Sequence, residues 1–438
     1  MNLAVIGTGY VGLVSGACFA ETGQTVISAD INEGKIDALR KGRMPFYEPG
    51  LEDIVRKNSQ AGRLSFTTST EEAVRASDVV FIAVDTPPQG NGQADLSRVM
   101  QVAQDIAKGI NGYKVIVNIS TVPVGTVERI GRVIEKNLVG DYPFDIVSNP
   151  EFLREGSAVS DRLCPSRIVI GSDSQKAIQI LKEVYGFIDV PIITTTIRTA
   201  EMIKYASNAF LATKISFINE IAHICELVDA DVVEVAEGMG YDPRIGSQFL
   251  GAGVGYGGSC FPKDTKALDH IAASQGHNFV LLKAVIDVNN MQRVRLVHKV
   301  KEALGDLDGR TIGIWGLSFK PDTDDIREAA SIDIINYLQH YGARIKAYDP
   351  VAMDNARTAL NNVDFCPDSY EACRDSDALV IVTEWQEFKE ADLNRVKSLL
   401  ARPVIVDGRN IFALSLMEEL GFDYYSIGRQ VVKKDQEV

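Results

Sequence analysis

Leu3-Ala4-Val5-Ile6 is an unbroken apolar run between polar Asn2 and Gly7. Successive strand side chains point to opposite faces, so such a run predicts a strand covered on both sides. Positions 13–21 carry helical periodicity and stop short of Gly23. Positions 25–29 read as a second strand that ends at Asp30. The alternation continues, with strands expected over 78–84, 114–119 and 144–148 and helices over 97–108 and 124–137. Strand and helix in alternation predict a parallel, doubly wound sheet.

From about Arg198 to Glu237 the sequence has no strong breaker. A helix of roughly 35 residues would be about 50 Å long, the kind that connects domains or forms a dimer seam. Lys204 and Asn208 are four apart on it and share a face. A glycine run, Gly251-Ala252-Gly253-Val254-Gly255-Tyr256-Gly257-Gly258, leads directly to Ser259-Cys260-Phe261-Pro262-Lys263-Asp264. Helical sequence is expected again from about 265 to 304, followed by a strand over 311–315. The chain then partly repeats its beginning. Gly342-Ala343-Arg344-Ile345-Lys346-Ala347-Tyr348-Asp349 parallels Gly23-Gln24-Thr25-Val26-Ile27-Ser28-Ala29-Asp30, and Ser376-Asp377-Ala378-Leu379-Val380 parallels Ser77-Asp78-Val79-Val80-Phe81. The expected fold is therefore α/β: two Rossmann-like doubly wound domains joined by a long central helix. The expected divisions are 1–197, 198–304 and 305–438, with a frayed tail over 433–438.

Composition narrows the function classes. The 438 residues carry a formal charge of −14, which argues against a nucleic-acid partner because such surfaces are basic. No apolar run approaches a membrane span, and the N-terminus has no signal-peptide pattern. Six cysteines without CxxC or metal spacing point to reduced thiols in a cytoplasmic protein and to no metal.

Gly7-Thr8-Gly9-Tyr10-Val11-Gly12 follows the first strand and opens the first helix. That context is the dinucleotide fingerprint. Gly7 makes the tight turn, Gly9 lets backbone reach the pyrophosphate, and Gly12 permits close helix–strand packing. Asp30 would accept from the ribose hydroxyls and repel a 2′-phosphate, so NAD is the expected cofactor. In the second repeat Gly316-Leu317-Ser318-Phe319-Lys320-Pro321 replaces the fingerprint. That loop is not expected to hold a dinucleotide in the usual way, and Lys320 would face a phosphate instead. Arg409 follows the last strand, also at a carboxyl end. Polar loops end three strands of the first domain: Asp85-Thr86-Pro87-Pro88, Ser120-Thr121-Val122-Pro123 and Asn149-Pro150-Glu151-Phe152-Leu153-Arg154-Glu155-Gly156. Glu151 and Glu155 would share a face if helical. Oxidation of an alcohol to an aldehyde needs no thiol. A cysteine becomes useful when oxidation continues to the acid, because a thiohemiacetal can give up a second hydride and become a thioester that water releases. Lys204 or Lys263 would favour the thiolate, and Lys204 would also stabilise an oxyanion.

Gly257-Gly258-Ser259-Cys260-Phe261-Pro262-Lys263-Asp264 resembles the active-site signature of the UDP-glucose 6-dehydrogenases. The resemblance extends over nearly the whole chain. It includes the fingerprint, Phe46-Tyr47-Glu48-Pro49-Gly50-Leu51, the loops at 120–123 and 149–156, positions 204–208, Phe319-Lys320-Pro321-Asp322-Thr323 and Asp407-Gly408-Arg409. It implies a four-electron oxidation: UDP-glucose, two NAD and water give UDP-glucuronate and two NADH. It implies Cys260 as nucleophile, Lys204 and Asp264 at the oxyanion and the catalytic water, and Thr121 and Glu151 handling protons or water. Glu151 is the favoured base for thioester hydrolysis, and Glu155 and Asn208 are supporting groups. It places the sugar nucleotide against Glu151, Phe152, Leu153, Arg154, Lys204, Asn208, Phe249, Leu250, Tyr256 and Gly257, with Lys320 and Arg409 near the phosphates or sugar. Arg244 would contact substrate, from the neighbouring subunit of a homodimer. On the NAD side it adds Lys35, Asp85, Thr86, Thr121, Glu155, Lys263 and Arg327 to the residues of the fingerprint and Asp30. The alternatives are an enzyme for GDP-mannose or an N-acetylated UDP sugar, a two-electron 3-hydroxyacid dehydrogenase, and an inactive nucleotide-sugar sensor. Phe261 favours UDP-glucose; Cys260 and the second repeat argue against the hydroxyacid enzyme; Cys260, Lys204 and Asp264 together argue against the sensor.

Overall fold

A computed structural model of the chain describes residues 1–90 and 92–433, so the frayed-tail expectation lies outside the described residues except at Lys433. Its contacts gather into two compact units: Met1–Ser207 with Lys266–Ser274, and Asn208–Thr265 with Gln275–Val438.

The first unit holds β1 (Asn2–Ile6), β2 (Thr25–Ala29), β3 (Leu64–Thr67), β4 (Val79–Ile82), β5 (Lys114–Asn118), β6 (Phe144–Ser148), β7 (Ile168–Gly171) and β8 (Ile192–Thr195). These form one sheet in the order β3-β2-β1-β4-β5-β6-β7-β8. The first six follow the dinucleotide-fold order, which reverses direction between β1 and β4. All pairings are parallel except β6 with β7, which meet antiparallel at Ser148 and Gly171. The apolar run of β1 is explained by its neighbours. Leu3 and Val5 enter one buried cluster with Leu13, Val14 and Phe19 of the helix Tyr10–Glu21. Ala4 and Ile6 enter another with Val99, Ala103 and Ile106 of the helix Ser97–Gly109. Both faces of the sheet are covered, which alternating apolar and polar residues could not have supplied.

The second unit repeats the plan with β9 (Thr311–Trp315), β10 (Arg344–Tyr348), β11 (Val363–Phe365), β12 (Ala378–Ile381), β13 (Val404–Asp407) and β14 (Asp423–Ser426). Their order, β11-β10-β9-β12-β13-β14, is that of the first six strands of the other sheet. Again alternate residues divide between faces: Ala378 and Val380 lie in one cluster and Leu379 and Ile381 in another. The first of these clusters also takes Leu250, Ala252 and Val254 from the glycine-rich segment and Ile218, Ala222 and Cys225 from the long helix.

That long helix is Ile197–Val228, 32 residues. It is shorter than the expected run to 237. Asp229 turns the chain left-handed at φ 57°, and Asp231 caps a separate helix, Val232–Gly240, by accepting from Val233 N. The run expected over 265–304 is likewise two helices, Phe261–Ser274 and Val280–Leu304. Between them lies Gly276, at φ 76°, the kind of glycine that ends helices. The first of these helices starts at Phe261 rather than 265, because Pro262 is tolerated in a first turn, where its missing N–H costs nothing.

Candidate active site

The fingerprint is shaped for close backbone approach. Gly7 sits at φ 109°, and a Cβ there would stand 2.3 Å from the Ala83 carbonyl oxygen. A Cβ on Gly12 would stand 2.1 Å from the Gly7 carbonyl oxygen. Gly9 differs: among the described residues, the one atom within 4 Å of its missing Cβ is an Asp85 carboxylate oxygen at 3.7 Å. The helix Tyr10–Glu21 starts at Gly9 with no side chain capping it, so its positive end is presented to that space. At the end of β2, Asp30 Oδ2 accepts from Thr8 N at 3.0 Å and Thr8 Oγ1 at 2.8 Å, and Oδ1 accepts from Asn32 N at 3.0 Å. Burial pushes the Asp30 carboxyl up, but the bonds from Asn32 and Thr8 and the nearby Lys35 outweigh it and hold it below the usual range. It is thus an anion that keeps spare lone pairs for sugar hydroxyls. An open Gly9, an uncapped helix end and an ionised Asp30 are the fit expected for NAD.

The neighbouring loops are joined to one another. Thr86 Oγ1 donates to the Thr121 carbonyl at 2.8 Å, and Ser120 Oγ donates to the Val84 carbonyl at 2.8 Å. Asp85 is largely exposed, 3.8 Å from Arg98. Lys35 lies half-buried in the helix Glu33–Arg40, and its backbone N donates to the Asn32 cap at 3.0 Å. A residue that sequence reasoning missed closes the 120–125 loop. Glu201, buried on the long helix, accepts from Gly125 N at 2.6 Å and Val127 N at 2.9 Å. It caps the helix Thr126–Asn137 from 76 residues away. Burial raises its carboxyl, opposed by the bonds from Val127 and Gly125.

Glu151 and Lys204 form a buried ion pair. Lys204 Nζ is 2.9 Å from Glu151 Oε1, and both side chains are 4% exposed. Glu151 Oε2 accepts from Leu153 N at 2.6 Å. Phe152 lies alongside, its ring centre 5.4 Å from Lys204 Nζ and 3.8 Å from the Arg167 guanidinium. The stretch from Glu151 to Arg154 is irregular, followed by a turn at Glu155 and Gly156. The helical face expected for Glu151 and Glu155 is therefore not formed: Glu151 uses its carboxylate to bond its own loop, and Glu155 stands half-buried in the turn. Arg154 is exposed and paired with Asp161 at 2.7 Å.

In the second unit, Cys260 lies at the start of the helix Phe261–Ser274, its carbonyl accepting from Asp264 N at 2.8 Å. Its thiol is 3.6 Å from Ser259 Oγ. None of the cysteines is disulfide-bonded, but they are not equivalent. Burial pushes the thiols of Cys18 and Cys373 up to about 12 and that of Cys366 to about 11, and it also raises Cys225. Cys260 is half-buried at a helix N-terminus, a setting that favours thiolate. Beside it, Asp264 is 1% exposed. Its Oδ2 accepts from Asn208 Nδ2 at 2.6 Å, and its Oδ1 lies 2.6 Å from Lys263 Nζ.

The glycines before Cys260 have a use the sequence did not reveal. They press against the protein itself. A Cβ on Gly257 would stand 2.4 Å from the Glu328 carbonyl oxygen, and one on Gly258 would stand 2.7 Å from the Phe319 ring. Tyr256 N donates to Asn289 Oδ1 at 2.7 Å, and Asn289 Nδ2 returns a bond to the Tyr256 carbonyl at 3.0 Å. Tyr256 and Leu250 are buried. Phe249 takes a left-handed φ of 64°, its ring 6.1 Å from that of Phe261.

Arg409 donates to the Val382 carbonyl at 2.7 Å and the Phe319 carbonyl at 3.1 Å, and sits 3.1 Å from Glu384. Lys320 stands 5.6 Å from the Phe319 ring centre. Arg327 pairs with Asp325 at 2.8 Å. Arg244, 87% exposed, pairs only two residues away with Asp242. The altered fingerprint of the second unit is shut by the protein's own groups. Asp349, at the end of β10, accepts on Oδ2 from Leu317 N, Ser318 N, Ser318 Oγ and Trp385 Nε1, and on Oδ1 from Val351 N and Ala352 N. Among the described residues no group of His, Cys, Asp and Glu is placed to hold a metal.

Three family models match in order: the NAD binding domain of the UDP-glucose/GDP-mannose dehydrogenase family over residues 1–189, its central domain over 198–291, and its UDP binding domain over 313–414. A UDP-glucose 6-dehydrogenase of Bacillus subtilis is 54% identical over 99% of this chain and 94% of its own. One of Rhizobium meliloti is 50% identical over 98% of this chain and 100% of its own. The structure of a UDP-glucose dehydrogenase from Pyrobaculum islandicum superposes with a TM-score of 0.89 at 41% identity, covering 94% of each chain. A UDP-N-acetyl-mannosamine dehydrogenase from Staphylococcus aureus gives a TM-score of 0.80 at 28% identity, over 98% of each. With three matched domains in order and near full-length relatives at half identity or better, this chain belongs to the UDP-glucose/GDP-mannose dehydrogenase family.

Proposed function

We propose that the chain is an NAD-dependent UDP-glucose 6-dehydrogenase, oxidising the sugar's C6 alcohol to the carboxylate of UDP-glucuronate. The observation that carries this reading is near full-length identity of 50–54% to UDP-glucose 6-dehydrogenases. The similar structures of N-acetyl-hexosamine and GDP-mannose enzymes stand at 25–32% identity, which favours UDP-glucose over those alternatives. Functionally we divide the chain into 1–197 for NAD, 198–304 for the catalytic cysteine and the dimer seam, and 305–438 for the UDP sugar.

Bound NAD supplies the hydride acceptor, once for each two-electron oxidation. It would be held by Gly7, Gly9, Tyr10, Val11, Gly12 and Asp30, with Lys35, Asp85, Thr86, Thr121, Glu155, Lys263 and Arg327. The chain's own residues carry the rest. The C6 alcohol loses a proton and a hydride to give the aldehyde. Cys260 thiolate adds to that carbonyl; the new oxygen takes a proton, and the thiohemiacetal keeps the aldehyde from escaping. Lys204 and Asn208 stabilise the oxygen as it gains charge. The thiohemiacetal loses a hydride and its hydroxyl proton to become a thioester. Glu151 takes a proton from water as that water attacks, and the C–S bond breaks to return the Cys260 thiolate and release the acid. Asp264 orients Asn208 and the water, and Thr121 assists proton transfer. The remaining substrate contacts are assigned to Phe152, Leu153, Arg154, Phe249, Leu250, Tyr256, Gly257, Lys320 and Arg409.

An apolar stripe along the long helix supports a homodimer. Phe210, Phe217, Ile224, Leu227 and Val228 are 66, 49, 50, 72 and 64% exposed, at spacings that keep most of them on one face. Arg244 of one subunit would then serve the other. Thiols without disulfides fit a reducing cytoplasm, and no described helix is long and apolar enough to cross a membrane. The test is NADH formation with UDP-glucose, GDP-mannose and N-acetylated UDP sugars. Two NADH per UDP-glucose are expected; one NADH, or a preference for another sugar, overturns the reading.

A further inference from the structure

The Phe46-Tyr47-Glu48-Pro49-Gly50-Leu51 segment has no part in the chemistry above, yet its central carboxylate is buried. Glu48 Oε2 accepts from Gly156 N at 2.7 Å, and Oε1 accepts from Ala158 N at 2.7 Å. The helix Ala158–Leu163 receives no side-chain cap from Ser157, so Glu48 supplies the acceptor at its start from 110 residues away. The other end of the same loop is also fixed. Asn149 Oδ1 accepts from Tyr185 OH at 2.5 Å, and Asn149 Nδ2 donates to the Val169 carbonyl at 2.7 Å. Between these two anchors stands Glu151, whose Oε2 is oriented by Leu153 N of that loop. Two residues before Glu48, the Phe46 ring stacks on Tyr10 with centroids 4.1 Å apart and planes at 30°. Tyr10 is the first residue of the fingerprint helix.

We propose that the 46–51 loop is a positioning clamp, in which Glu48 fixes the loop that carries Glu151 and Phe46 ties that loop to the dinucleotide-binding turn. Glu48 is a positioning residue for thioester hydrolysis, and this rests on the reading of Glu151 as the base. A carboxylate is needed because both partners are N–H donors, and its two oxygens accept from both at once. Glutamine offers one acceptor and turns its amide N–H₂ toward the second donor. The loop end then shifts, Leu153 N moves with it, and the Glu151 carboxylate loses its aim. A misplacement of about 1 Å costs on the order of 10²-fold in rate. Hydride removal from the alcohol and thiohemiacetal does not use that aim, so it is spared.

The experiment uses the full-length enzyme with UDP-glucose and NAD, rapid quenching, NADH absorbance and intact-protein mass. Glu48→Gln is expected to release two NADH per subunit at near the unsubstituted rate, accumulate an acyl group on Cys260, and then turn over roughly 10²-fold more slowly. Phe46→Ala is expected to raise KM for NAD and also to slow hydrolysis. The double variant should lose less than the product of the two single losses, because both act through one device. Equal slowing of hydride transfer and hydrolysis in Glu48→Gln, or fully multiplicative losses, would show a packing residue and overturn the clamp. Glu48→Asp keeps the carboxylate and should recover part of the hydrolysis; if Glu48→Gln does not fold, Glu48→Asp is read by the same split. The unsubstituted enzyme is the separate control: if it forms no acyl group on Cys260 and only one NADH, the functional reading fails, not the clamp.

Discussion

Replacing Lys204 with alanine tests the buried Glu151–Lys204 pair of the first unit. Glu151 and Lys204 are each 4% exposed and 2.9 Å apart. Lys204→Ala leaves a carboxylate that is 4% exposed without its cation. Removing one partner of a buried pair costs about 3–5 kcal/mol, because the remaining charge keeps its desolvation penalty. For a unit of this size that corresponds to a fall in midpoint of roughly 6–20 °C, at about 2–4 °C per kcal/mol. The double variant Lys204→Ala/Glu151→Gln removes both charges, and its amide oxygen can still accept from Leu153 N. It should therefore be more stable than Lys204→Ala alone, with a coupling of at least about 2 kcal/mol in the cycle. Urea unfolding followed by far-UV circular dichroism at pH 7 measures all four proteins. The differences should persist in 0.5 M salt, because buried pairs are poorly screened. A Lys204→Ala variant within about 1 kcal/mol of the parent, or a cycle additive to within about 0.5 kcal/mol, refutes the reasoning. Such a result would mean that the Glu151 carboxylate does not depend on the Lys204 cation in the folded state.

Four further outcomes follow. Cys260→Ala should abolish acid formation while Cys18→Ala leaves it largely intact, since burial keeps the Cys18 thiol near 12; acid production by Cys260→Ala at near the parent rate, measured by product chromatography, would exclude the thioester route. Asp30→Asn should lower the NAD-over-NADP preference in kcat/KM by at least about tenfold, as a 2′-phosphate no longer meets a carboxylate; an unchanged ratio removes that role from Asp30. The Asp30 carboxyl is held below its usual value, so its stabilisation is present above the unfolded value near 4 and is lost as pH falls through the folded value; Asp30→Asn should flatten that acid limb of the stability profile. Phe217→Glu places a charge in the exposed stripe of the long helix and, on the proposed homodimer, should shift the light-scattering mass from dimer to monomer; an unchanged mass, or a parent protein of monomer mass, refutes the stripe as a dimer seam.

The central strands were legible because burial on both faces leaves an apolar run, as at β1 and β12, whereas β3, β7, β8, β11 and β14 were not read from the sequence. Helix ends were less so. The break after Val228 depends on Asp231 turning its carboxylate onto Val233 N, and the break at Gly276 on one left-handed residue inside otherwise helical sequence. Glu151 and Glu155 misled for a different reason: their spacing fits a helical face, but the Glu151 carboxylate closes a bond to its own loop at Leu153 N. The chemistry-bearing types at Cys260, Lys204, Asp264 and Asn208 could be read from motif and resemblance. Their partners could not, because Glu201 reaches Gly125 across 76 residues and Glu48 reaches Gly156 across 108. Nothing local in either carboxylate's neighbourhood announces which backbone N–H it will meet. The glycine run shows the same limit, since low side-chain volume signals a close approach without saying to what.

The two sheets share one strand order, and both carry an aspartate at the end of the strand after the first loop, yet only one is shaped for a dinucleotide. The difference is the number of donors each carboxylate already serves. Asp30 accepts from three, at Thr8 and Asn32, beside a Gly9 whose missing Cβ would meet an Asp85 carboxylate oxygen only at 3.7 Å. Asp349 accepts from six, including the Trp385 indole, and is 1% exposed. A carboxylate oxygen has about two lone-pair sites, so Asp30 has capacity for ribose hydroxyls and Asp349 has none. The second sheet therefore keeps the fold's aspartate as a structural brace for the 316–318 turn. Its carboxyl-end loops carry Lys320 and Arg409, on the altered first loop and the loop after β13, within the stretch that matches a UDP binding domain. A duplicated architecture thus yields two different sites through the occupancy of one side chain, and opening Asp349 by removing Trp385 would cost the turn its brace rather than restore a dinucleotide site.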